Sequence, residues 1–213
     1  MYYDLSKTET AIAYKLLAAT VVPRPIAWTV TRSKSGIINA APFSFFNVVG
    51  SAPPTVVLGI FSDPEKGLKD TARNITETGE FVINLVPVSL VESMNLTSID
   101  APADVSELEM ARIPTTPSIH VSPPRISTSP VSFECINQTS LVTGPNQILI
   151  VGRVVAIHIA DEFMKDPVRG HVDTLKLDLV ARTFGAGYAR IGEPFDLSRP
   201  TWAKGYKHEG QLY

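Results

Sequence analysis

The chain is poor in the groups that carry chemistry unaided. Cys135 is the one cysteine in 213 residues, which excludes an intramolecular disulfide and any CxxC redox or zinc pair. Of its four histidines, His120, His158 and His171 are scattered without metal-site spacing, so no metal is expected. The carboxylates form no catalytic pair. GxSxG is absent, which leaves Ser44 without the context of a hydrolase nucleophile. Gly185-Ala186-Gly187-Tyr188 lacks the third glycine of a dinucleotide loop, since Arg190 stands there, and no βαβ pattern surrounds it. That stretch reads as a turn.

Other absences bound the partners. No run of about 18 apolar residues occurs, and the segment MYYDLSKTETAIAYKLL lacks the basic start and apolar core of a secretory signal. A soluble, cytoplasmic protein with no membrane partner is expected. A net charge of -2 without any Lys/Arg cluster argues against nucleic acid, because neutralising a phosphate backbone needs a concentrated basic face. A small-molecule ligand fits better. With no dithiol and no self-sufficient catalytic set, redox chemistry on a bound cofactor is the activity that asks least of the side chains.

What is present is a well-patterned core. At 213 residues and 44% hydrophobic, the chain is expected to form a single domain over 1–213. A short amphipathic helix is predicted over 10–19, with Ile12, Leu16 and Ala19 on one face. Strand patterns follow: IAWTVTR, then IINAAPFSFF after a turn at Ser35-Gly36, then TVVLGIF and FVINLV. A helix is predicted within 63–79, with Asp63-Pro64 as its start, Gly79 as its stop and Gly67 as a point where it could divide. The connection 88–130 mixes two short helical patterns, SLVESMNL and SELEMARI, with proline-rich runs. VSFECINQTSLV, a turn at Gly144-Pro145, and QILIVGRVVAIHIA read as a long hairpin closing a barrel wall, and LKLDLVARTF as a last strand. His158 alternates with apolar neighbours like a packed strand residue, and Cys135 reads as a small core residue.

Two segments stand out as candidate ligand sites. In Asn39-Ala40-Ala41-Pro42-Phe43-Ser44-Phe45-Phe46, Pro42 cannot donate to a ladder and points to an edge or bulge, and small residues beside it let a flat ring approach the backbone. The same residues also suit a strand that bends at Pro42 and buries its phenylalanines. LKDTARNI puts Lys69, Asp70 and Thr71 in a helical first turn, where free N–H groups and the helix dipole favour an anion such as a phosphate monoester. Lys69 supplies charge, Thr71 a hydroxyl donor, and Asp70 a cap. A solvated, capped surface helix is the alternative. Arg24 and Arg73 are extra cations or ordinary surface residues.

In order along the chain, VVPRPIAWTVTRSKSGIINAAPFSFFNVVGSAPPTVVLGI, KDTARNITETGEFVINL, SELEMARIPTTPS, PPRISTSPVSFEC, VGRVVAIHI and GAGYARI resemble the flavin reductase-like family of FMN-binding split barrels, which includes NAD(P)H:flavin oxidoreductases and flavoredoxins. The resemblance implies a mainly β, antiparallel, Greek-key-like split barrel with peripheral helices, forming a homodimer with one FMN per subunit near the interface. It implies that Trp28, Val30, Thr31 and Asn39, Ala40, Ala41 and Pro42 line the isoalloxazine ring. Ser44, Lys69, Asp70 and Thr71 then surround the phosphate, with Phe45 and Phe46 close by, and Tyr188 approaches the site. The activity implied is hydride transfer from NADH or NADPH to FMN, with His171 as a nicotinamide-side contact and a monooxygenase or other redox protein as partner. FAD in place of FMN, a flavoredoxin-like electron carrier and a non-catalytic ligand-binding barrel are the alternatives.

Overall fold

The structure, a computed structural model, describes residues 1–62, 65 and 67–199. Helix α1 (Thr10–Thr20) is followed by β1 (Arg24–Pro25) and then by the expected hairpin, β2 (Ala27–Arg32) and β3 (Ile38–Phe43). Gly36 holds φ at 93° in the turn, a conformation that favours a residue without Cβ. β3 stops at Phe43 and β4 (Phe46–Ser51) starts after Ser44 and Phe45, so the run predicted as one strand is two. β5 (Pro54–Phe61) leads to α2 (Asp70–Thr78), which begins well after the predicted start; Asp63 and Pro64 lie outside the described residues. Gly79 ends α2 in the left-handed conformation, as its position predicts, and β6 (Glu80–Asn84) follows at once.

The long connection carries α3 (Val91–Leu96), α4 (Glu107–Met110) and a small ribbon of β7 (Thr115–Thr116) and β8 (Arg125–Ile126). The predicted hairpin is β9 (Val131–Gly144) and β10 (Gln147–Ile159). Beyond it lie the ribbon β11 (Met164–Asp166) and β12 (His171–Val172), then β13 (Val180–Arg182) and β14 (Tyr188–Arg190). The predicted last strand is cut to its final residues. It joins β1 and β14 in a separate three-stranded sheet rather than the barrel wall.

The main sheet runs β3-β2-β6-β9-β10-β5-β4, antiparallel throughout. Its two edge strands, β3 and β4, are consecutive in the chain and joined only through Ser44 and Phe45. The sheet therefore rolls until its edges meet at that link, with no ladder between them: this is the split of a split barrel. The cause lies in the outward edge of β3. The Ala40 N–H points away from β2, into the Glu107 carboxylate at 2.9 Å, and Pro42, two residues on and facing the same way, has no N–H. β3 thus offers β4 no donor at either position.

Alternation along β2 sorts two cores. Ala27 faces the barrel interior with Phe46, Leu58, Phe81, Ile83, Cys135 and Ile150, closed by Ala72 and Ile75 of α2. Trp28 and Val30 face outward and are covered by Met94 of α3, Leu108 of α4, and Ile113, Val121 and Ile126 of the connection. Both faces are dry, so each buried aliphatic or aromatic side chain contributes roughly 1.5–3 kcal/mol. α1 departs from its predicted face: Ala18 is buried, Leu16 half-buried, and Ile12 and Ala19 exposed. Among the described residues no helix is long and apolar enough to cross a membrane.

Candidate functional site

Two polar regions flank β3. On one side, Asn39 is the hub of a buried network. Its Nδ2 donates to Glu107 Oε1 at 2.9 Å, and its Oδ1 accepts from Thr71 Oγ1 at 2.7 Å and Thr31 Oγ1 at 3.3 Å. Asn74 Nδ2 donates to Thr31 Oγ1 at 3.0 Å. Burial raises the Glu107 carboxyl above the usual carboxylate range, opposed by the N–H groups of Ala40 and Asn39. The network ties α4, β3, β2 and α2 together with its donors and acceptors matched.

A second buried carboxylate holds the proline-rich connection to the barrel. Glu134 on β9 accepts the backbone N–H groups of Ile119 at 2.8 Å and His120 at 2.6 Å, and lies 2.6 Å from His158 Nε2 on β10. Burial alone would raise its carboxyl; the two backbone donors and His158 outweigh that and lower it. His158 is therefore a packed strand histidine, as predicted, but one with a carboxylate partner. Burial also pushes the Cys135 thiol far above its ordinary value, which makes it an inert core residue.

The third region is an open cleft of about 1160 Å³ beside the split. Pro42, Phe43, Ser44 and Phe45 form its floor, α1 one wall, and the β13–β14 hairpin another. Tyr14, Phe45 and Phe61 cluster with ring centroids 5.2 to 6.2 Å apart, Phe61 edge-on to both others and Tyr14 tilted against Phe45. Lys15, Arg24 and Arg182 line the cleft, and among the described residues no carboxylate does.

Arg24 is 7% exposed. It donates to the carbonyls of Ala18 and Val21 at the end of α1 and of Thr183 on the hairpin, reaches Ser44 Oγ at 3.5 Å, and lies 5.6 Å from the centre of the Phe45 ring. A buried guanidinium with no carboxylate partner among the described residues leaves a positive field in the cleft. The sequence could not separate this role from that of a surface arginine, because every partner but Phe45 and Ser44 is a distant or local carbonyl.

The predicted site residues divide between these regions. Pro42, Ser44, Phe45 and Tyr188 line the cleft. Trp28, Val30 and Ala40 are fully buried in the outer core, and the indole N–H of Trp28 donates to Thr97 Oγ1 at 2.9 Å. Thr31, Asn39 and Thr71 belong to the closed network, and Phe46 to the inner core. Ala41 is half-buried on β3. Asp70 does not cap α2: its carboxylate pairs with Arg73, and Lys69, exposed, occupies the cap position. The N–H of Ala40, a residue expected to line the ring, is taken by Glu107. His171 is exposed on the β11–β12 ribbon, and is not among the residues lining the cleft.

A model of the flavin reductase like domain matches residues 19–176. A protein of Halalkalibacterium halodurans whose own role is uncharacterised is 41% identical over 203 residues, 93% of this chain and 94% of that one. Among solved structures, nitrilotriacetate monooxygenase component B from Bacillus cereus superposes with a TM-score of 0.88 at 31% identity, covering 92% of this chain and 98% of that one. Pseudomonas fluorescens 2-nitrobenzoate 2-nitroreductase NbaA does so with a TM-score of 0.85 at 30% identity, covering 95% and 98%. With the split barrel and the cleft at its seam, these matches establish that the chain belongs to the flavin reductase-like domain family.

Proposed function

We propose that this protein is an FMN-dependent oxidoreductase that takes hydride from NADH or NADPH and passes electrons on to an acceptor. The observation that carries the reading is the cleft at the split: it combines an aromatic floor with the cations Lys15 and Arg24 and no lining carboxylate among the described residues, in a chain of the flavin reductase-like family. Its size meets the upper end of small-molecule sites, which run to about 1,000 Å³. Bound there, FMN supplies the hydride acceptor and electron store that the side chains lack.

The chain's own part is to hold and orient. The floor from Pro42 to Phe45 takes the ring. The Ser44 hydroxyl and the Arg24 guanidinium take the phosphate, with Lys69, exposed at the N-terminus of α2, as a further cation. Thr71 is left out of this set because its hydroxyl is spent on Asn39. Exposed apolar residues on α1, β4 and β9, among them Tyr14, Leu17, Val48, Val49 and Val142, suit the homodimer in which such a site is completed. The likeness to a monooxygenase component supports an oxygenase as one electron acceptor.

The test is an anaerobic visible absorbance trace of the FMN-loaded protein after separate additions of NADH and NADPH. Rapid loss of the oxidised-flavin band with either is expected and identifies the donor. A band that persists with both but is bleached by dithionite replaces the reductase with an electron carrier.

A further inference from the structure

Two walls of the cleft lie outside the segment that the family model matches. Residues 19–176 supply the floor, but Tyr14, Lys15 and Leu17 precede that segment and Arg182, Phe184 and Tyr188 follow it. The walls stand beside the floor, where they can select what enters next to the flavin. The residues of the hairpin wall are also not among those assigned above to the flavin ring or phosphate.

The hairpin wall is built around Arg182. Its Nη1 donates to the Tyr188 hydroxyl at 2.7 Å, its Nη2 donates to the Gly185 carbonyl, and its guanidinium lies 4.7 Å from the centre of the Tyr188 ring. Tyr188 in turn donates to Asn95 on α3 at 3.4 Å, which fixes the pair to the barrel. Among the described residues these bonds use two of the five guanidinium N–H donors. Within the turn the N–H of Thr183 goes to the Gly187 carbonyl and that of Gly187 to the Phe184 carbonyl. The turn is tightly packed: a Cβ on Gly187 would lie 2.3 Å from Thr183 Oγ1. The charged group on this wall is one planar fork, stacked on one aromatic ring.

We infer that Arg182 is the recognition residue for the carboxylate of a second, aromatic substrate, held between the hairpin and the Tyr14–Phe45–Phe61 cluster. A planar fork matches a carboxylate through two parallel hydrogen bonds, which a lysine at the same place does not provide. The inference deepens the flavin reading and rests on it for the word substrate, though not for the binding itself.

The test is calorimetric titration of benzoate, with benzamide as its uncharged counterpart, into wild type and Arg182→Gln, each with and without FMN. The expected result is that benzoate binds the FMN-loaded wild type, benzamide binds at least about tenfold more weakly, and Arg182→Gln loses about tenfold for benzoate while its FMN affinity stays unchanged. Equal benzoate binding in the two proteins overturns the assignment. So does a tenfold loss of FMN affinity in Arg182→Gln, which hands the residue to the flavin phosphate, or a variant whose lost affinity is for NADH while benzoate never binds. If wild type takes up no FMN at all, the flavin reading falls, and the titration of the unloaded protein still decides the role of Arg182.

Discussion

Strand β3 separates a closed polar region from an open one. Around Asn39 the side chains of Glu107, Thr71, Thr31 and Asn74 bond to one another inside the protein. Around Ser44 the cations outnumber the anions, and guanidinium groups are held by carbonyls that neutralise nothing. Polar residue types alone would rank the first region as the better ligand site. Compensation ranks them the other way, because an unmatched charge beside an open volume is a demand that only a ligand or water can meet.

The sharpest way to break this contrast is to open the closed side. Glu107→Ala leaves the Asn39 amide and the Ala40 N–H buried without partners and is expected to lower unfolding stability by about 3 kcal/mol in urea titration. A loss under about 1 kcal/mol would mean that water already enters the network. On the open side, Arg24→Met is expected to weaken FMN binding about tenfold in fluorescence titration, since the cleft loses its most buried cation. Unchanged affinity would place the phosphate elsewhere.

The two buried carboxylates sharpen it further through pH. Glu134 is held low, so its contribution to stability is present above the ordinary glutamate range and is lost as pH falls through its folded pKa. Glu107 is raised, so its contribution is present below the ordinary range and is lost as pH rises through its folded pKa. Denaturation series across acid to neutral pH should therefore show the deficit of Glu134→Gln shrinking in acid and that of Glu107→Gln shrinking toward neutral. Parallel curves would contradict both. The smallest expected effects lie on α2. Lys69→Ala should weaken FMN about threefold by loss of a charge at the start of α2, whereas Thr71→Val should leave FMN affinity alone and cost about 1 kcal/mol of stability.

Local chemistry made much of the fold legible. The turn at Gly36, the helix stop at Gly79 and the long hairpin turning after Gly144 were readable because their signals lie within a few residues of the event. Pro42 announced an edge for the same reason. The division at Ser44-Phe45 was not readable, since it depends on the neighbouring strand β5: the Gly59 N–H donates to the Phe45 carbonyl at 2.7 Å, and a Cβ on Gly59 would sit 3.1 Å from that of Phe45. The site was half legible. Residue order pointed to Pro42, Ser44, Phe45 and Tyr188, which line one cleft. It could not reveal that Glu107, 68 positions from Asn39, consumes the donors credited to a ligand. Nor could it show that β13 leaves the barrel to build a wall around Arg24 and Arg182.

The outward edge of β3 has a consequence for the life of the protein among its neighbours. A barrel with an unzipped seam exposes the kind of strand that another chain could extend, and sheet extension between copies is a common route to aggregates. Here Glu107 occupies the Ala40 N–H and Pro42 offers none, so an incoming strand finds no donor at either position of β3. The seam can therefore stay open without strand-to-strand extension along β3, and a second copy has to meet this chain through side chains rather than through a shared sheet.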